Sequence, residues 1–223
     1  MRKPKSFNIL TFTLLILFTS PSWANTLIIS DSHGTGAFGL ELTHLLEKDN
    51  EQISFYAFGG SKPIDWIEGN NLTWGFWEYH TGKENRRGDN RSVPKLIELI
   101  SEHRPEKVII NLGTNIVWHE QTEKDRHSIQ LLMKTAKDVN ADCVWIGPPD
   151  LNVPEEQQKR WVRDVHQELQ ELSVTEECQL IESWKFTHYP KNSGDGVHYD
   201  KIPIKGPRLA KNWARKVYSR LSN

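Results

Sequence analysis

Apolar residues gather in five short, β-rich runs at positions 27–29, 53–57, 108–112, 143–146 and 179–181. None alternates cleanly with polar residues, the pattern of strands buried on both faces of a parallel sheet. Between the runs the period changes to that of helices. Phe38, Leu42, Leu45 and Leu46 share one helix face, as do Leu96, Ile97 and Ile100. Ile129, Leu132, Met133 and Ala136 repeat the rhythm, as do Trp161, Val165, Leu169 and Leu172. A last helix, with Leu209, Trp213 and Val217 on one side, starts after Gly206-Pro207. Strands and helices that alternate in this way predict an α/β protein, a three-layer α/β/α domain around a mostly parallel five-stranded sheet. Positions 61–92, rich in Trp, Gly, Asn and charge, show no sustained period and are expected to form a long functional loop.

In open parallel sheets ligands bind beyond the carboxyl ends of the strands, so the residues that follow each run carry the chemistry. These are Ser30-Asp31-Ser32-His33, Gly59-Gly60-Ser61, Gly113-Thr114-Asn115 and Gly147-Pro148-Pro149-Asp150, with Asp195-Gly196-Val197-His198 ahead of the last helix. Together they supply the parts for acyl transfer. Ser32, on a turn at a helix start, is the candidate nucleophile. His198 is the candidate base and Asp195 the group that orients it. The backbone N–H groups of Ser32 and Gly60 and the side-chain amide of Asn115 are the candidate oxyanion donors. Taken singly, a serine after a strand is an ordinary helix cap and Gly-Gly an ordinary turn. Their succession at consecutive strand ends is what points to a site.

Charge and targeting signals narrow the setting. Lys and Arg total 28 against 29 Asp and Glu, and Arg2, Lys3 and Lys5 lie in what reads as an export signal. That signal has an apolar stretch at 9–18 and small residues near Ala24, which predicts a signal peptide over 1–24 and a single domain over 25–223. The apolar stretch is too short to span a bilayer, so a periplasmic or secreted protein with no integral membrane segment is expected after cleavage. The mildly acidic mature chain lacks the basic footprint of a nucleic-acid binder. Two cysteines, Cys143 and Cys178, are expected to pair as a disulfide in an exported protein, with a buried pair of thiols as the alternative. They make a poor zinc site, and no HExxH-type pattern is present, so no metal is expected.

The blocks "SDSH" around Ser32, "GGS" around Gly60, "LGTN" around Asn115 and "DGVH" with Asp195 and His198 resemble those of the SGNH hydrolases of the GDSL esterase/lipase superfamily. "WIGPPD" resembles the strand and loop that precede the last block in secreted bacterial members. The resemblance implies a flavodoxin-like fold, ester hydrolysis through an acyl-serine and no cofactor. One departure stands out: Ser30 occupies the place of the usual first-block glycine.

Eight of the nine tryptophans lie beyond the signal. Trp145, Trp161 and Trp213 read as core. Trp66, Trp74, Trp77 and Trp118 fall in segments expected at the catalytic edge, and with His33 they are the candidate substrate contacts. Aromatic residues interleaved with Asn70, Asn71, Glu78 and His80 suit a sugar better than a lipid, which calls for a continuous apolar lining. The expected substrate is therefore a short acyl ester, an O-acetyl group on a carbohydrate such as cell-wall glycan. A lipase, lysophospholipase or thioesterase, an acyltransferase, and a non-catalytic glycan-binding envelope domain are the alternatives.

Overall fold

The first apolar run forms the centre of the molecule. In the computed structural model, which describes residues 25–49 and 51–221, β1 (Asn25–Ser30) is flanked by β2 (Gln52–Phe58) on one side and β7 (Lys107–Asn111) on the other, both parallel to it. Beyond β7 come β8 (Asp142–Ile146) and β9 (Gln179–Ile181), again parallel. The signal-peptide expectation, residues 1–24, lies outside the described residues.

Side-chain alternation along β1 assigns the two helical layers. Leu27 and Ile29 face a cluster with residues of α3 (Leu96–His103), α4 (Glu123–Lys137) and α5 (Glu156–Thr175), while Ile28 faces α1 (Ala37–Lys48) and α6 (Gly206–Leu221). This is the three-layer arrangement expected. The α4 start is fixed by a capping box in which the Thr122 hydroxyl accepts from the Asp125 N–H and the Asp125 carboxylate accepts from the Thr122 N–H. On the other side, α6 packs on α1 through Trp213, whose ring stacks on Phe38 at 3.8 Å between centroids and whose Nε1 donates to Ser183 Oγ.

The sheet differs from expectation in having seven strands rather than five. Positions 61–92 contain the short α2 (Asp65–Glu68), an isolated two-stranded pair of β3 (Asn71–Leu72) and β6 (Arg91–Ser92), and a hairpin of β4 (Phe76–His80) and β5 (Arg86–Gly88). The hairpin joins antiparallel to β2, giving the order β5-β4-β2-β1-β7-β8-β9. Its pattern is masked because a charge sits where an apolar residue is looked for. Glu78 of β4 is buried, and its carboxylate is held by Arg91 and, at 3.2 Å, by Arg86.

Cys143 and Cys178 form a disulfide that ties the start of β8 to the residue before β9. No helix among the described residues is long and apolar enough to cross a membrane.

Candidate active site

The end of β1 sets the position of Ser32. The Asp31 N–H donates to Asn111 O of the neighbouring β7, and Asp31 Oδ1 then accepts from the His33 N–H at 3.0 Å, capping the 3-10 turn Ser32–Thr35. Thr35 Oγ1 donates back to Ser32 O at 2.8 Å. The strand thus ends in a tight, capped turn that carries Ser32.

His198 reaches that hydroxyl from 166 residues further along the chain. Its Nε2 lies 2.9 Å from Ser32 Oγ and its Nδ1 2.7 Å from Asp195 Oδ2. Asp195 Oδ1 accepts from the N–H groups of Val197 and His198, and the Gly196 N–H donates to the Tyr189 hydroxyl, so the Asp195–His198 segment is held as a unit. Partial burial pushes the Asp195 carboxyl up, but the His198 and Val197 donors outweigh it and hold the group well below the usual carboxylate range. Asp195 therefore stays charged beside the imidazole.

Gly60 and Asn115 line the same cavity as Ser32 and His198, a space of about 440 Å³ that Thr35, Gly59, Trp74, Asp200 and Lys201 complete. Gly60 has φ +75, in the left-handed region, and a side-chain carbon there would stand 3.1 Å from Trp74 Cδ1. Asn115, on the 3-10 turn Thr114–Ile116, donates from Nδ2 to Ser61 O at 3.0 Å. A side-chain amide has a second N–H to offer.

Ser30 has a structural reason. It is fully buried, its Oγ donates to Asn111 Oδ1 at 2.9 Å, and the Asn111 Nδ2 donates on to Ile146 O. The side chain fills the space beside Gly34, where an added carbon would come within 2.5 Å of it. The extra bulk at position 30 is thus accommodated by glycine at 34, and the turn that carries Ser32 keeps its shape.

The expected substrate contacts divide. Trp74 is 80% exposed at the cavity wall. Trp66 and Trp77 are core residues instead: both are fully buried, Trp66 with its Nε1 on Ser61 Oγ and edge-on to Phe58, Trp77 packed against Phe55. Neither ring lines the cavity. Trp118 is part-exposed but is not among the cavity-lining residues. His33 is buried between Trp213 and His198, ring centroids 5.1 and 5.5 Å away, and burial together with the His198 charge lowers it to about 3. It is a neutral wall behind the His198 ring. Burial likewise raises the Asp31 carboxyl to about 7.

Three cavity residues escaped the sequence reading: Thr35, Asp200 and Lys201. The first follows Ser32 by one turn and the others follow His198 closely, so proximity in sequence to the two blocks was the available signal. The Asp200 carboxylate lies over Gly36 at the start of α1, where the helix end favours negative charge.

Compared by sequence, the chain matches no protein-family model and no curated protein. Compared by structure, it resembles TesA, with a TM-score of 0.59 at 15% identity over 87% of this chain and 99% of that one. It resembles the esterase EstA from Pseudoalteromonas sp. with a TM-score of 0.56 at 14% identity, covering 89% and 99% of the two chains. For a catalytic mutant of the acetylxylan esterase Axe2 from Geobacillus stearothermophilus, the TM-score is 0.57 at 12% identity, with 87% and 94% covered. At this level of identity the shared feature is the fold.

Proposed function

We propose that this chain, which has the fold of the SGNH/GDSL hydrolases, is an exported serine esterase that removes small acyl groups, O-acetyl above all, from a carbohydrate. The observation that carries the reading is the unbroken line of contacts from Asp195 through His198 to Ser32. In the first step His198 Nε2 takes the Ser32 proton as Oγ attacks the ester carbonyl carbon, and Asp195 stabilises the imidazolium that forms. The Ser32 and Gly60 N–H groups and the Asn115 amide stabilise the tetrahedral oxyanion. His198 returns its proton to the leaving alcohol, and water repeats the sequence on the acyl-serine. The disulfide suits an oxidising compartment, in line with export.

A small acyl group on a sugar is favoured by the wall composition. One exposed aromatic face, Trp74, stands among Asn115, Thr35, Asp200 and Lys201, and the cavity lining around Ser32 is not continuously apolar. The presence of acetylxylan esterases among the fold neighbours supports the same reading. The test is hydrolysis of p-nitrophenyl esters of graded chain length by the mature protein, with Ser32→Ala beside it and a fluorophosphonate label mapped by mass spectrometry. The expected result is faster turnover of acetyl than octanoyl ester, label on Ser32, and a loss of at least about 10³ in turnover for Ser32→Ala. Label elsewhere or undiminished turnover overturns the mechanism; preference for the long chain moves the assignment to a lipase or thioesterase.

A further inference from the structure

Close to the Ser32 cavity stands a positive charge that ester hydrolysis does not use. Three arginines stand close together on the hairpin and just after it. Arg86 and Arg91 both turn to the buried Glu78 carboxylate and share its single negative charge. Alternation along β5 sends Arg87 to the opposite face. There its guanidinium lies 5.1 Å from the Trp77 ring centre and Nη1 donates to Thr35 O at 3.2 Å, with no carboxylate in ion-pair range among the described residues. Thr35 is part of the cavity wall, so Arg87 stands directly behind that edge.

Lys201, on the same wall, is 63% exposed and only 3.7 Å from Asp195 Oδ2, a carboxylate already engaged by three N–H groups of Val197 and His198. Asp200, the other carboxylate of the wall, sits at the start of α1. Trp74 leads into the hairpin. It precedes Trp77, the register partner of Arg87, by three residues. An exposed aromatic face at the cavity and a guanidinium bonded to the cavity residue Thr35 thus stand at the start of one hairpin and on its second strand.

Resting on the esterase reading and narrowing it, we propose that the acylated alcohol is an anionic glycan, a chain of carboxylate-bearing sugars. One ring packs on Trp74 while a neighbouring carboxylate meets Arg87. The planar guanidinium fork matches a carboxylate in two-point fashion, and a charge-assisted contact of this kind changes affinity by roughly tenfold or more. A neutral glycan gains nothing from it.

The experiment compares kcat/KM on O-acetylated polygalacturonate with that on O-acetylated glucomannan, at low and high salt, for the wild type, Arg87→Gln and Arg87→Glu. The wild type should favour the acidic polymer by about tenfold through KM, and screening by salt should shrink the preference. Arg87→Gln should bring the ratio close to one and Arg87→Glu below it. A wild-type ratio near one, or a ratio unchanged in the variants, overturns the proposal whether or not the variants lose stability, because the wild-type value decides by itself. Turnover of p-nitrophenyl acetate by the wild type separates the two failures: present, it leaves the esterase standing with a neutral substrate; absent, it removes both.

Discussion

Ser32 is held by the residues around it rather than by its own side chain. Asp31 caps the turn through the His33 N–H, and Ser30 anchors the strand end through Asn111, which in turn reaches Ile146 on β8. Three neighbouring strands are therefore linked just below Ser32. Replacing Ser30 with glycine removes the donor to Asn111 Oδ1 and leaves a buried acceptor without it, a loss of about 1–3 kcal/mol. Urea unfolding of Ser30→Gly should show that decrease, with kcat reduced less than stability would suggest because Asp31 still caps the turn. An unchanged unfolding midpoint would show that the bond contributes nothing. Ser30, Asp31 and Ser32 were all visible in the sequence as a block. That Gly34 makes room for Ser30 was not, since it depends on two atoms separated by a turn.

Among elements, the contrast between the helices and the hairpin is instructive. The α4 and α6 faces could be read because each buries a single stripe at helical spacing: Ile129, Leu132, Met133 and Ala136 on one, Trp213 and Val217 on the other, where Leu209 is only partly buried and Ala210 and Ala214 complete the face. The β4–β5 hairpin could not, because Glu78 is stabilised in the interior by arginines eight and thirteen residues away. Pattern reading assumes that a buried position is apolar, and a buried ion pair breaks that assumption. At the far edge, β9 is only three residues long, and the disulfide fixes it to β8 across a sequence separation of 35. The chain-entropy account gives such a cross-link about 3–4 kcal/mol. Cys143→Ala/Cys178→Ala should lose that much in urea unfolding while the wild type, once reduced, loses a similar amount; equal stability of oxidised and reduced protein would refute it.

For the molecule as a whole, burial of histidine governs the response to acid. Burial, with a contribution from the neighbouring His198 charge, lowers His33 to about 3, and burial lowers His166, stacked on Trp184, to about 4. His80 and His103, whose rings lie 5.5 Å apart near Ser54 and Tyr56, are lowered by burial as well. Below a pH of about 6.5 the unfolded chain protonates these groups and the folded chain does not, so the unfolded state binds more protons and stability falls as pH falls. Asp31 and Glu168, both raised by burial, act in the opposite sense, holding protons in the folded state that the unfolded chain releases above about pH 4. Four histidines outweigh two carboxyls. The unfolding free energy should therefore be lower at pH 5 than at pH 7.5 by about 1–3 kcal/mol, measured by urea titration across that range. A flat or rising profile toward acid would show that the histidines are solvated in the folded state.

The sequence alone determined the alternation of the parallel strands with helices, most of the helix faces and the residues at the strand ends, because hydrophobic period and turn chemistry are local properties of the chain; Ile97, placed with Leu96 and Ile100 on one face, is exposed, and Leu99 takes its place. It also singled out Ser32, Gly60, Asn115, Asp195 and His198, since in a parallel sheet the ends of consecutive strands must share one edge. Tertiary structure alone decided which tryptophans are wall and which are core. Trp74 and Trp77 lie three residues apart in the same unpatterned stretch, yet one is open at the cavity and the other fully buried. The difference arises where β4 adds to β2: pairing Trp77 with Ala57 turns its ring onto Phe55, whereas Trp74 precedes the strand and is left over Gly60. Strand pairing is a contact between distant segments, and no local pattern encodes which face of an added strand will be covered.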